Sequence, residues 1–569
     1  MVTGNVEQPV GRPRGVRAVL VDRRSVPPTV KYKVHLQPVG GAAPLNEEEN
    51  RQLTTIRRFG TTGAMLLAAG SLGAGAAPVF NPLTTWPIIG LFARMPTVAL
   101  ASAFTGMAMI ILSWLWLGRF VRPGRERLMS AGQIYRVMLT WVVPLVAVPP
   151  MFSRDVYSYL AQSKIAALGL NPYVLGPATA LGVGDSLTRG VPTIWRDTPA
   201  PYGPLFITIG RGLSAITGDH VVTGVLLQRV LELIGVAMIV WALPRLARRF
   251  GVQPVSALWL GAANPLVLWH LIIGVHNEAL MLGLMLAGLE LALLRLPKVA
   301  PGDPVPPASR GELFWLTTGV VVITLGSVIK ISALPALGFL GIMVAHRWGG
   351  RLRHVAVVGA LFALLSGGVI VASSLGTGLG FGWISALGTN GIVRSWMSPV
   401  TDLGSMAGGI GLLFGLGNHT TAAITIIRFV GELATVVIIG KLLWDTYRGR
   451  MQPMIGLGLA MAAAVLLGAT VQPWYLLWAA LPLAVAVGES WFRTAATVIS
   501  AFIAIVVPPT GSTFDGHAYV IPEAATAAAI VLILALLVIR HRIPVLPLSS
   551  LRRPGAVAAV LSGSHPPAR

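Results

Sequence analysis

The amino-acid sequence predicts an all-α polytopic membrane protein. It would have about 12–14 transmembrane helices and two larger extracytoplasmic loops. Three observations carry this. First, 54% of the 569 residues are hydrophobic and the mean hydropathy is +0.73. Only 11% are charged, against about 25% in a soluble domain, and a bilayer is the solvent in which such an apolar outer surface is stable. Second, the apolar residues come in runs of roughly 16–23, the length that crosses a hydrocarbon core. Third, the Lys and Arg residues sit in short clusters between these runs and at the two ends. They produce a net charge of +22 and a pI near 11.3. That is the positive-inside pattern of cytoplasmic loops, not a nucleic-acid surface.

In chain order, residues 1–58 read as a disordered basic cytoplasmic tail. It carries Arg12, Arg14, Arg17, Arg23 and Arg24, then the acidic triplet Glu47–Glu49. It shows no apolar stretch of signal type, so no cleavable leader is expected. Spans are expected near 61–80, 98–117, 133–150, 221–243, 255–273 and 277–296. They resume at 313–329, 332–346, 354–375, 421–443, 452–470, 473–488, 490–508 and 522–540. One or two of these are allowed to be re-entrant or fused with a neighbour.

The basic clusters fix parity. Arg57 and Arg58 precede the first span, Arg245, Arg248 and Arg249 follow the fourth, and Arg540, Arg542, Arg552 and Arg553 follow the last, so both termini are expected inside. Counting 204–217 as a span would invert the Arg245–Arg249 cluster. That segment is therefore expected to lie on the outer membrane surface. The organisation that results is an N-terminal transmembrane half, 59–296, with a catalytic outer loop at 151–220. A Pro/Gly-rich cytoplasmic linker follows at 297–312. The C-terminal half, 313–541, has an outer loop at 376–420, and 542–569 is a second basic cytoplasmic tail. With no cysteine in the chain, disulfides and thiolate metal sites are excluded.

Ionisable residues at membrane depth are functional candidates. Asp155 stands in Phe152-Ser153-Arg154-Asp155-Val156-Tyr157-Ser158-Tyr159, where the third span leaves the membrane. A carboxylate there suits a general base on an acceptor hydroxyl; a helix cap or an ion pair with Arg154 is the plainer reading. Asn171-Pro172-Tyr173 and Thr198-Pro199-Ala200-Pro201-Tyr202-Gly203-Pro204 form stiff turns. Tyr157, Tyr173, Trp195 and Tyr202 supply flat faces for sugar rings, and equally for an interfacial aromatic belt. His276-Asn277-Glu278 places three hydrogen-bonding side chains together at the outer end of the sixth span. Lys330 and Arg394 are outer-side cations fitted to a phosphate, with snorkelling as the alternative for Lys330. Gln472-Pro473-Trp474-Tyr475 breaks the chain between two spans. No HExxH spacing occurs, so no metal ligands are assigned.

Taken in order along the chain, these motifs resemble polyprenyl-phosphate-mannose-dependent mannosyltransferases of the GT-C class. They are most similar to the actinobacterial (mycobacterial and corynebacterial) α-(1→6)-mannopyranosyltransferases. The resemblance rests on SRDVYSY, NPY, PAPYGPL, HNE, Lys330 opening a late span, and QPWY. It covers most of residues 60–540 and is strongest over 150–205. It implies a GT-C glycosyltransferase-like fold in the plasma membrane with an extracytoplasmic active site. The donor would be polyprenyl-phosphate mannose with a β-linked sugar, and the acceptor a lipid-anchored mannoside of lipomannan or lipoarabinomannan. Transfer to an α-(1→6) product would invert the anomeric centre. Asp155 would be the base, and Arg154, Lys330 and Arg394 would bind the donor phosphate. Tyr157, Tyr173, Trp195, Tyr202, His276, Asn277, Glu278, Gln472, Trp474 and Tyr475 would contact sugar. Members of the class often carry an acidic pair in the first outer loop. Arg154 stands beside Asp155 here, which fits a metal-independent reaction without cofactor. Two alternatives stay open: a GT-C transferase for glucose, arabinofuranose or an aminosugar, and a lipid-linked sugar flippase or transporter.

Overall fold

Residues 42–297, 306–488, 490–512, 514–540 and 542 are described in a computed structural model. The tail residues 1–41 and 543–569 and the linker residues 298–305 lie outside them. The described chain is a bundle of helices. Its one pair of strands joins Ala43–Pro44 to Arg127–Leu128 in parallel.

Among the described residues, five helices are long and apolar enough to cross a membrane. They are Pro96–Val121, Val221–Arg249, Leu352–Gly376, Thr420–Tyr447 and Val520–Ile539. Together they make this a multi-pass membrane protein. Each coincides with an expected span. Other expected spans are interrupted, each for a local reason. The one at 255–273 is two pieces, Pro254–Ala262 and Val267–Ile273, bent by 64°. Asn264-Pro265 stands at the break, where proline withholds a backbone donor. The one at 133–150 is helical only over Ala131–Val142, followed by a tight turn at Val143–Leu145. Pro144, Pro149 and Pro150 prevent its continuation.

Two sequence expectations are corrected. The expected tail does not extend to residue 58, because helix Glu47–Ala74 begins well before the apolar run. Asn46 caps it by accepting from Glu49 N–H, while the Glu49 carboxylate accepts from Asn46 N–H in return. Glu47, Glu48 and Glu49 then sit in the first turn, where the helix dipole favours negative charge. Glu49 also pairs with Arg125. The second correction concerns 376–420, which is not an open loop. It holds short helix Gly382–Ala386 and apolar helix Pro399–Leu413. Ser398 caps the latter, and Gly404 and Gly408 let it lie directly on the Thr420–Tyr447 helix. The expected surface segment 204–217 is helix Pro204–Thr217.

Close packing elsewhere depends on small residues, as expected where lipid gives no hydrophobic drive between helices. Glu47–Ala74 meets Pro96–Leu117 at Gly63 and Gly106. A Cβ on either would strike the other's carbonyl oxygen, at 2.8 and 2.4 Å. Val221–Arg249 and Glu278–Leu293 also meet on glycines: a Cβ on Gly235 would strike Ala279, and one on Gly283 would strike the Gly235 carbonyl oxygen at 2.5 Å.

Candidate active site

The site is assembled around the start of helix Asp155–Ala167. Ser153 Oγ accepts from Asp155 N–H at 3.0 Å, and Arg154 Nε donates to the Gly190 carbonyl at 3.1 Å. Phe152 just before them has φ of 67°, a left-handed conformation uncommon for a bulky residue, and stacks on Trp269. This kink turns Asp155 inward. Helical periodicity then places Asp155, Ser158, Tyr159 and Gln162 along one face, and all four line a cleft of about 610 Å³ open to solvent.

Three other parts of the chain close the cleft. The PAPYGPL turn contributes Thr198, Pro201 and Tyr202, with Trp195 beside it. Its backbone docks on the end of helix Arg310–Ser327. Gly203 N–H donates to the Ile329 carbonyl at 3.0 Å and Leu205 N–H to the Val328 carbonyl at 3.2 Å. A Cβ on Gly203 would lie 2.1 Å from Val328 O, so only glycine fits. This docking sets Tyr202 and Lys330 in the lining of the same cleft. Lys330 pairs with Glu278 and lies 4.6 Å from the Tyr475 ring centroid. Gln472, Trp474 and Tyr475 complete the wall with Val393 and Thr470.

Beneath Trp474 lies the HNE turn. His276 stacks on Trp474 with centroids 3.6 Å apart, and its Nδ1 is 3.6 Å from Asp155 Oδ2. The turn is held from helix Val221–Arg249. Arg229 donates to the carbonyls of Val146, Ile272 and Ile273, at 2.8, 3.2 and 3.4 Å. Glu232 accepts from Leu280 N–H at 3.2 Å. One buried arginine thus ties the end of the third expected span to the broken one.

Burial, and then the nearby Glu278 carboxylate, push the Asp155 carboxyl up to about 6, against the opposing pull of Lys330 and the Ser153 hydrogen bond. An acid held there is mostly ionised at neutral pH and still basic enough to take a proton from a hydroxyl.

The structure brings together Asp155, Trp195, Tyr202, Lys330, Gln472, Trp474 and Tyr475 in the cleft, with Glu278 bound to Lys330. Other expected site residues lie elsewhere. Arg154 is anchored on Gly190 and set against the Tyr157 ring, away from the cleft lining. Tyr157 is buried and its hydroxyl donates to the Ala76 carbonyl at 2.5 Å, so it pins two segments and does not line the cleft. Tyr173 is buried in a separate cluster with Trp383, Ala200 and Ile207. Arg394 is exposed, and it is its neighbour Val393 that reaches the cleft. His276 and Asn277 are fully buried below the wall. Ser158, Tyr159, Gln162, Thr198, Pro201, Val393 and Thr470 were missed. Spacing of three, four and seven from Asp155 is the signal that finds the first three. Arg229 and Glu232 were also missed, although charges inside an apolar span are such a signal.

The sequence model of the α-(1→6)-mannopyranosyltransferase N-terminal domain matches residues 57–346, and that of the MptB C-terminal domain matches 400–537. Fold, site and match define a membrane glycosyltransferase. A probable α-(1→6)-mannopyranosyltransferase of Mycolicibacterium smegmatis is 46% identical over 87% of this chain and 90% of its own. One from Mycobacterium tuberculosis is 46% identical over 92% and 94%. α-(1→6)-Mannopyranosyltransferase B of Corynebacterium glutamicum is 36% identical over 83% and 79%. The chain belongs to the α-(1→6)-mannopyranosyltransferase family. No solved structure matches it.

Proposed function

We propose that the enzyme transfers mannose from polyprenyl-phosphate mannose to an α-(1→6)-mannoside acceptor, with inversion, at the extracytoplasmic face of the plasma membrane. The product would serve the mannan core of lipomannan and lipoarabinomannan. The observation that carries this reading is Asp155, a carboxyl lifted to about 6 at the edge of a cleft rich in hydroxyls and aromatic rings. In this mechanism Asp155 takes the proton of the acceptor 6-hydroxyl as that oxygen attacks C1 of the donor. The C1–O bond to phosphate breaks, and polyprenyl phosphate leaves with the bonding pair. Lys330, in the same cleft lining, meets the charge that develops on the leaving phosphate. Trp195, Tyr202 and Trp474 offer flat faces to the two sugar rings.

A lipid-borne donor is further supported by an apolar groove of about 530 Å³ between helices Pro335–Arg347 and Leu352–Gly376. It begins at Leu334, close in sequence to Lys330. A prenyl chain lying there would leave its phosphate near the lysine. The reading keeps a GT-C-like architecture of about 12–14 membrane passes, counting short and broken helices. The catalytic segment 151–220 would be outside and both termini in the cytoplasm.

The test is a membrane assay with labelled polyprenyl-phosphate mannose and short α-mannosides, with linkage analysis of the product and a parallel arm in EDTA. An α-(1→6)-mannoside formed equally with and without chelator is expected. Transfer from another lipid-linked sugar only, or cytosolic accessibility of residues 151–203, refutes it.

A further inference from the structure

Just below the cleft lies a polar patch that an apolar interior tolerates only at a cost. His270, His276 and Asn277 are fully buried, and among the described residues their side chains find no hydrogen-bond partner. His276 has no exposed surface, so it does not reach a sugar in the cleft. What it does approach is the Asp155 carboxylate, at 3.6 Å.

The ring is held in that pose on every side. Trp474 stacks on it with planes 23° apart. The preceding residue, Val275, has φ of 58°, a strained conformation for a β-branched residue that the surroundings must enforce. His276 N–H donates to the His270 carbonyl at 3.1 Å. Arg229 and Glu232 fix the chain on either side of the turn. Burial, with His270 and Lys330 facing it, holds His276 well below its ordinary range, so the ring is neutral. With the proton on Nδ1 it is a donor aimed at the carboxylate. A separation slightly beyond hydrogen-bond length is usual for catalytic pairs without substrate.

We propose that His276 positions Asp155: its Nδ1–H orients the carboxylate so that one oxygen faces the acceptor hydroxyl, and the stack on Trp474 transmits occupancy of the cleft to that orientation. The proposal rests on the reading that Asp155 is the base. The groups facing Asp155 are His276, Glu278, Lys330, Tyr159, Tyr202 and Tyr475. Among these aromatic and charged neighbours, His276 combines ring stacking on the cleft wall with an approach to the carboxylate.

The test compares full-length His276→Phe with His276→Asn in membranes, using labelled polyprenyl-phosphate mannose and an α-mannoside acceptor. Phenylalanine keeps the stack and removes the donor, whereas the asparagine amide places a donor near the Nδ1 position. For His276→Phe, kcat should fall about 100-fold, as expected for a small misplacement of a reacting group. Its KM values should stay within about twofold. The acid limb should move to higher pH, because the carboxylate loses a hydrogen bond to its charged form. His276→Asn should recover at least about tenfold of kcat. Near-normal kcat in His276→Phe overturns the proposal, as does an equal loss in both variants with raised KM. If His276→Phe does not accumulate, His276→Leu is the second donor-less variant, judged by the same outcomes. Asp155→Asn, run alongside, separates the two claims. An active Asp155→Asn refutes the base itself, and an inactive one beside a normal His276→Phe refutes only the positioning.

Discussion

The pH dependence of transfer follows from the surroundings of Asp155. With its carboxyl at about 6, about nine-tenths of the enzyme carries the anion at pH 7 and about one-tenth at pH 5. The anion is the working form, so kcat/KM is full above this range. It should fall about tenfold per unit once the pH drops below about 6. Two neighbours tune the midpoint in opposite directions. Glu278 raises the Asp155 carboxyl, so Glu278→Gln should move the acid limb to lower pH. Lys330 lowers it, so Lys330→Met should move the limb to higher pH. Asp155→Asn keeps the shape and abolishes the base. The expected loss is about 10²–10⁴ in kcat/KM, or roughly 3–5 kcal/mol of transition-state stabilisation. The assay is transfer of labelled mannose between pH 4.5 and 8.5, with membrane levels of each variant matched by immunoblot. An acid limb unmoved by both Glu278→Gln and Lys330→Met, or an Asp155→Asn enzyme within about tenfold of wild type, would refute the reasoning.

Three further outcomes are expected. Lys330→Met should raise KM for the lipid donor more than KM for the acceptor, measured by separate titrations, because the lysine meets phosphate and not the mannoside. Gly203→Ala should lower the melting temperature of the detergent-solubilised enzyme, at a cost of about 1–3 kcal/mol for forcing a methyl into the Val328 carbonyl. It should also reduce transfer by displacing Tyr202 in the cleft wall. Glu312→Ala should destabilise by about 3–5 kcal/mol, because it strips the only acid paired among the described residues with buried Arg347, 3.0 Å away. Replacing Glu312 and Arg347 together with apolar residues should recover much of that loss in the same thermal assay.

Much of the cleft lining was legible in the sequence, and the limits have physical causes. Asp155, Lys330 and the Gln472-Pro473-Trp474-Tyr475 break were found because charge or a proline at the end of an apolar run demands a reason in one dimension. Ser158, Tyr159 and Gln162 follow from Asp155 once the segment is taken as a helix. Tyr157 and Tyr173 were misjudged because an aromatic ring near an interface looks the same in sequence whether it faces a ligand or the core. Tyr157 turned out to be a pin between residue 76 and the loop. Arg154 was misjudged for a related reason, since an arginine beside a carboxylate gives no sign that a carbonyl such as that of Gly190 will claim it.

Membrane character, the position of the long apolar helices and the choice of Asp155 as a candidate base were read from sequence alone, because hydropathy and charge act locally and survive without a fold. The pairing of Lys330 with Glu278, the seat of His276 against Asp155, and the clamp from Arg229 across two broken helices were decided only by tertiary structure. Each joins residues far apart in the chain through burial, and it is burial that lifts the Asp155 carboxyl and holds His276 neutral.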